Sequence, residues 1–266
     1  MPDSSRIPVI IGVGQSVCRE KPASVADLPD IESMAAEACK AALADGGIEN
    51  ATSKIDTLAF IRLVADSLPS SPPIFGRCNQ PPLTLARRLG ASPAHAIYSE
   101  LGGQAPQRLI HEASNRIASG ESSLVLITGA EVTGAMKHAL RQGWNIPEPA
   151  LIDGEMDNRD TGFDVISQYE LANGLTLPPD IYGMMENAWR HEHGLTRSEH
   201  RRRMAELLTR FSAVAAQNPY AMYPTTRDAD FLATPSADNY HVADPYLIGS
   251  VAQDAVNQGA AVVVAS

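Results

Sequence analysis

Four short apolar runs, separated by segments with helical periodicity, constrain what this chain can fold into. They are "IPVIIGVGQ" (7–15), "IDTLAFIRLV" (55–64), "HAIYSEL" (95–101) and the run that ends in Gly129, Ala130 and Glu131. Nearly continuous apolar runs of this length suit strands buried on both faces. Between the first two, "DIESMAAEACKAALADGG" sets Ile31, Met34, Ala35, Ala38 and Ala42 on one helical face. Asp30 suits its N-cap, and Gly46 with Gly47 ends it. "LTLARRLG" is a short helix closed by Gly90. In the helix after Gln104, Leu109, Ile110, Ala113 and Ile117 share a face, and Pro106 sits in the first turn where its missing N–H matters little. The order predicts an α/β layered fold: a mainly parallel mixed sheet with helices on both faces.

The alternation stops near residue 132. Beyond it, polar loops surround two helices, one over about 182–193 ending at Gly194. The other starts with a capping box, Thr196 to Glu199, and carries Met204, Leu207, Leu208, Phe211 and Ala215 along a stripe. "DSLPSSPPIFGRCNQPP" (66–82) reads as a surface loop. "GAAVVVAS" (259–266) closes the chain as a buried strand. The expected division is a core of 1–131 with 251–266 and a helical excursion of 132–250. A chain closing on a core strand is expected to belong to something larger.

With 266 residues and 44% apolar content, the chain can bury one sizeable core or two modest ones. A net charge of −10 argues against nucleic acid or anionic membrane as the main partner, and leaves an anionic small molecule open. There is no run of about 18 apolar residues for a membrane span and no signal-peptide pattern at the start. Three cysteines, Cys18, Cys39 and Cys78, suit a reducing cytoplasm without disulfides. Cys39 reads as an inert core residue; Cys18 and Cys78 are loop thiols with only Arg19 and Arg77 beside them. His191, His193 and His200 form a faint cluster, but 191 and 193 point to different sides of a helix, so no metal site is expected. "GVGQS" lacks the third glycine of a dinucleotide loop.

"GGQAPQRLIHEASNRIASGESSLVLITGAE" (102–131) runs a glycine pair into an amphipathic helix and a buried strand. Taken with "IPVIIGVGQ", "YGMMENAWRHEHGLTRSEHRRRMAELLTRFSAVAAQNPYA" and "VNQGAAVVVAS" in that order, it resembles the thiolase superfamily, in particular its acetyl-CoA acetyltransferase-like, sterol-carrier-thiolase-related branch. The resemblance covers the first half of a thiolase. It implies a CoA thioester as ligand, a role in lipid metabolism, no tightly bound cofactor, and a homodimer through the 95–101 strand. The C-terminal half, with the family's catalytic histidine and second cysteine, is absent. Counted back from Gly120, the nucleophile position falls on Gly103. Before the last strand "AQDA" replaces the family's loop, and Asn257, Gly259, Ala260 and Ala261 keep the pattern.

Claisen chemistry needs a thiolate, a base and donors for the thioester oxyanion. Glycine cannot supply the first. The helix starting near Gln104 offers N–H groups and a positive dipole end. Gly102 and Gly103 either let a thioester approach the backbone or simply allow a tight turn. Arg197, Arg201, Arg202 and Arg203 are either a solvated face beside Glu199 and Glu206 or, by resemblance, contacts to the phosphates of CoA. The expected function is CoA-thioester binding, with cysteine-dependent thiolysis or condensation in doubt. The alternatives are a non-catalytic scaffold subunit that pairs with itself or a second subunit, and an aldolase-like member using a tyrosine base. Tyr98, Tyr182, Tyr220, Tyr223, Tyr240 and Tyr246 are the tyrosines available to it.

Overall fold

The computed structural model describes residues 6–48, 50–66, 78–159 and 167–266. Most of the 66–82 loop therefore lies outside the described residues, as does Arg77. The chain divides into two compact units, Met1–Phe163 with Ala255–Ser266, and Asp164–Asp254. In chain order the first unit holds β1 (Val9–Val17), α1 (Ile31–Asp45), β2 (Thr57–Phe60), α2 (Pro81–Leu89), β3 (His95–Tyr98), α3 (Ala105–Ser119), β4 (Leu124–Glu131), α4 (Thr133–Gln142) and β5 (Asp157–Asn158). The second holds α5 (Gln168–Ala172), α6 (Pro178–Glu192), α7 (Arg197–Gln217), α8 (Ala229–Ala233) and the hairpin of β6 (His241–Ala243) and β7 (Tyr246–Leu247). β8 (Gln258–Ala265) returns to the first unit.

The sheet is six-stranded in the order β1-β8-β4-β2-β3-β5. β4, β2, β3 and β5 run parallel, and β8 is antiparallel to both of its neighbours. α1 and α2 cover one face over Leu58, Phe60, Leu126 and Val263. α3 covers the other through Leu109, Ala113 and Ile117 against Val125, Ile127 and Val264. The expected caps are present: the Asp30 carboxylate accepts the Ser33 N–H at 2.6 Å, and Gly90 and Gly120 close α2 and α3 in the left-handed region. On β1, Gly12 and Gly14 let the α1 backbone lie directly on the strand. A Cβ at either would stand 2.1 Å from the carbonyl oxygen of Ala42 or Ala38.

α4 falls where the sequence shows no regular pattern. No side chain of its own caps it. Instead Asn257, from the far end of the chain, accepts the Ala135 N–H at 2.8 Å, and Val256 O accepts that of Gly134 at 2.9 Å. In α7 the stripe read from the sequence is only partly covered: Met204, Leu208 and Ala215 are half-buried, Leu207 and Phe211 are 56% and 62% exposed, and the buried residues are His200 and Ala205. His200 turns inward because its Nε2 meets Glu186 Oε1 at 2.8 Å, and the Tyr246 hydroxyl donates to the same carboxylate at 3.0 Å.

The outer edge of β3 is partly covered. It is not an open template at Ile97 and Tyr98, because β5 pairs with both. The Arg159 N–H donates to Tyr98 O at 3.0 Å, and its guanidinium donates to both carboxylate oxygens of Glu112 on α3, at 2.6 and 2.7 Å. That pairing holds the Glu112 carboxyl below the usual carboxylate range. A second copy pairing along this part of the strand would have to displace β5.

The α1–β1 contact makes a direct prediction. Gly14→Ala should lower the unfolding free energy by about 3 kcal/mol, read by denaturant titration, because a backbone carbonyl cannot move aside as a side chain could. A change within about 0.5 kcal/mol would mean that the helix does not pack on this strand as described.

Candidate functional site at the strand ends

β2 and β4 are parallel neighbours, β2 ending at Phe60 and β4 three residues further on at Glu131, and in open α/β sheets ligands bind beyond such carboxyl ends. Two clefts open there. One, of about 470 Å³, lies among Ile61 to Val64, Thr128 to Glu131, the start of β8, and Pro106 with Ile110 of α3. The other, of about 670 Å³, lies among the starts of α1, α2 and α4. Both are lined by Leu63, Val64 and Glu131, which makes Glu131 their shared ionisable group. Burial pushes the Glu131 carboxyl up, against the pull of the Val132 N–H that donates to it at 3.0 Å.

The larger cleft is acidic, with Asp30, Glu32, Asp66, Glu131 and Glu148 on its walls. Its arginine, Arg88, is bound to Asp30 at 3.0 Å. Burial raises both Glu32 and Cys78, and the Cys78 sulfur lies 3.1 Å from Thr84 Oγ1. Neither a phosphate nor a thiolate is favoured in such a place. Cys39 lies in the core with its thiol pushed up to about 12 by burial.

At the head of α3, Gly102 has φ +139°, and a Cβ there would meet the Gln104 side chain at 2.2 Å. Gly103 is different: a Cβ would meet nothing within 4 Å. Glycine is needed at the first position and merely present at the second. Gln104 is the N-cap, and its amide nitrogen folds back to Leu101 O at 3.4 Å. The helix offers fewer donors than its position suggests, because Gly102 O accepts the Ala105 N–H at 3.1 Å and Pro106 has none. Just before the turn, Glu100 is buried with its Oε1 3.0 Å from Arg108 Nη1.

The four arginines of α7 belong to the second unit and do not converge on one point. Arg197 meets Asp244 at 3.2 Å, Arg202 pairs with Asp230 and with Glu206, and Arg203 lies 5.0 Å over the Trp189 ring. Arg201 is half-buried, with its Nε enclosed and without a hydrogen-bond partner. His193 stacks on Trp189 at 3.9 Å, and among the described residues no cluster of His, Cys, Asp and Glu could hold a metal ion. Two tyrosines are locked as donors. Tyr98 donates to Asp66, and burial with that carboxylate drives its pKa upward. Tyr246 is pushed up to about 12 by burial and by Glu186.

Sequence reading passed over Arg62, which follows β2 at the cleft. Its guanidinium donates through Nε to Ser99 O at 2.8 Å, reaches Asn158, and lies 4.2 Å over the Tyr98 ring. The signal was a lone cation within the apolar run "LAFIRLV".

No family model matches the chain, and no curated protein matches it. Solved structures do. A monomeric SCP2-thiolase like protein type 1 from Mycobacterium smegmatis is 36% identical over 99% of this chain and 46% of its own, with a TM-score of 0.73. An Ltp2–ChsH2(DUF35) aldolase is 19% identical over 98% of this chain and 56% of its own, at 0.60. Human mitochondrial 3-ketoacyl-CoA thiolase in complex with CoA is 16% identical over 97% of this chain and 64% of its own, at 0.52. The chain thus spans about half the length of the first two, and among its described residues no helix is long and apolar enough to cross a membrane.

Two outcomes follow from the site. Gly103→Cys should fold with a stability change of no more than about 1 kcal/mol, and its thiol should react with iodoacetamide at pH 8 while Cys39 stays unmodified until unfolding. Glu131 is a carboxyl whose folded pKa is raised, so its contribution to stability is full below the ordinary 4.5 and falls as pH rises through the folded value. Glu131→Gln should therefore melt higher than the parent at pH 8, with the gap closing toward pH 4.5.

Proposed function

Because the chain belongs to the thiolase superfamily, we propose that it binds a CoA thioester without forming a covalent acyl intermediate. The observation that carries this reading is Gly103. The head of α3 is where the resemblance puts the nucleophile, and there the backbone faces open space with no side chain. No other thiol substitutes for it. Cys39 is sealed in the core, Cys78 is held protonated in the acidic cleft, and Cys18 packs against the Met34, Val132 and Ala135 cluster. A thioester can approach the Gly102–Gly103 backbone closely, with its carbonyl oxygen toward the positive end of α3. Within the second unit, Arg197 and Arg202 are engaged by carboxylates, so of the α7 arginines that the resemblance offers for CoA, Arg201 and Arg203 are the ones to test.

The whole protein's activity needs more than these residues. On the face of the sheet beside α3, Ile10 and Val13 of β1 are each 56% exposed. We assign the covering of that apolar strip to a second thiolase-type half, in the same polypeptide or on a partner subunit. A homodimer through the 95–101 strand is the weaker arrangement, because β5 already occupies Ile97 and Tyr98. The second reading, an aldolase-like member working with a partner, is favoured by the likeness to an aldolase solved with a DUF35 protein. In that case Glu131 is a better base than Tyr98, whose proton is held by Asp66.

Calorimetric titration with CoA and with acetoacetyl-CoA, following thioester absorbance in the same samples, tests the reading. Binding with no thioester loss is expected, and the Arg201→Ala, Arg203→Ala pair should weaken it about tenfold, roughly 1.4 kcal/mol. Catalytic loss of the thioester would overturn the reading. So would absence of binding in the chain completed by its second half.

A further inference from the structure

We propose that the smaller cleft is a carboxylate-binding site anchored by Arg62, taking a small organic acid with an apolar body. The proposal stands apart from the CoA reading, since it needs neither a phosphate nor a thioester.

Arg62 is 6% exposed. A buried guanidinium is costly unless an anion or a full set of hydrogen bonds meets it. Among the described residues no carboxylate lies within 4 Å of it, and its companions are neutral: Ser99 O, Asn158 Oδ1 and the Tyr98 ring. The nearby Asp66 is engaged by the Tyr98 hydroxyl instead. Of the five N–H groups of a guanidinium, one on Nε and one on Nη2 are therefore used. Nη1 has no hydrogen-bond partner, yet it is absent from the fully enclosed polar atoms that lack one, and Arg62 lines the cleft of about 470 Å³. The unused edge of the fork opens into that cleft.

The remaining walls decide what kind of anion fits. Ile61, Val64, Pro106, Ile110, Ile127 and Val262 make them apolar. A single planar cation in such a setting matches the two oxygens of a carboxylate, with the hydrocarbon portion against the walls. Glu131, on the same cleft, disfavours a phosphate dianion when ionised and donates to a carboxylate oxygen when protonated. A monoanion meets both conditions better than any more highly charged group.

The test uses the whole chain and follows the arginine Nε–H resonances, together with the backbone amides of Thr128 to Glu131 that line the cleft and remain in every variant, in ¹H–¹⁵N spectra during titration with hexanoate, hexanamide or inorganic phosphate. The resonance missing from Arg62→Lys identifies Arg62. Hexanoate is expected to shift it saturably, hexanamide and phosphate are not, and Arg62→Gln should bind hexanoate at least tenfold more weakly. Arg62→Lys, which keeps the charge and loses the fork, should fall between them. Equal shifts with hexanamide would reduce the site to an apolar cleft, and competition by phosphate at equal concentration would overturn the ligand class. Unchanged affinity in Arg62→Gln or Arg62→Lys would remove Arg62 from the site. Arg62 also ties the end of β2 to Ser99 and Asn158. If Arg62→Gln does not fold, the parent titration and Arg62→Lys decide the matter. No CoA is present, so a negative result here leaves the thioester reading untouched.

Discussion

β8 is the strand on which the rest of the first unit depends. It lies between β1 and β4 and hydrogen-bonds both, with Val262 opposite Val13 on one side and Ile127 on the other. Without it, among the described residues no strand pairing would join β1 to the parallel strands. The side-chain period of two then sends Val263 toward α1 and Val264 toward α3, so a one-residue slip would exchange the two cores. The same segment brings Asn257 to the start of α4, and its residues Gln258 to Val262 form one wall of the smaller cleft.

The clefts are a consequence of that arrangement. β2 stops at Phe60 opposite Thr128 while β4 runs on to Glu131 along β8, so the chain turning away after Phe60 leaves space beside the last residues of β4. Different neighbours then give the two spaces different chemistry. One gathers carboxyls, of which burial pushes Glu32 and Glu131 toward the neutral form. The other receives the guanidinium of Arg62 and the first turns of α3. At the head of α3, Gly103 presents bare backbone, and a Cβ there would meet nothing within 4 Å.

The edge and the second unit show how local pairing shapes what remains on the surface. Two residues of β5 suffice to cover part of β3 because Arg159 anchors them to α3 through a bidentate pair with Glu112. In the second unit, Glu186 joins His200 and Tyr246 and so turns α7 with a polar rather than an apolar residue inward. Leu207 and Phe211 are left outside as a result.

Much of the first unit was legible because its signals are local. Asp30, Gly90 and Gly120 mark helix ends through their own backbone and side-chain chemistry, and the apolar runs mark strands that are buried on both faces. The place of Gly103 just before α3 was read from the resemblance, by counting back from Gly120. α4 was not legible, since its cap comes from Asn257, more than a hundred residues away in the chain. Nor was the inward face of α7, where a carboxylate on another helix outweighed the apolar stripe. Arg62 was visible as a lone cation in an apolar run, but its lack of a carboxylate partner depends on which strands end beside it. The sequence by itself determined the layers and the glycine pair before α3, because periodicity, caps and residue identity act over a few residues. Tertiary structure alone decided which edge is covered, which cleft is acidic and which cation meets no carboxylate among the described residues, because those depend on groups brought together from distant parts of the chain.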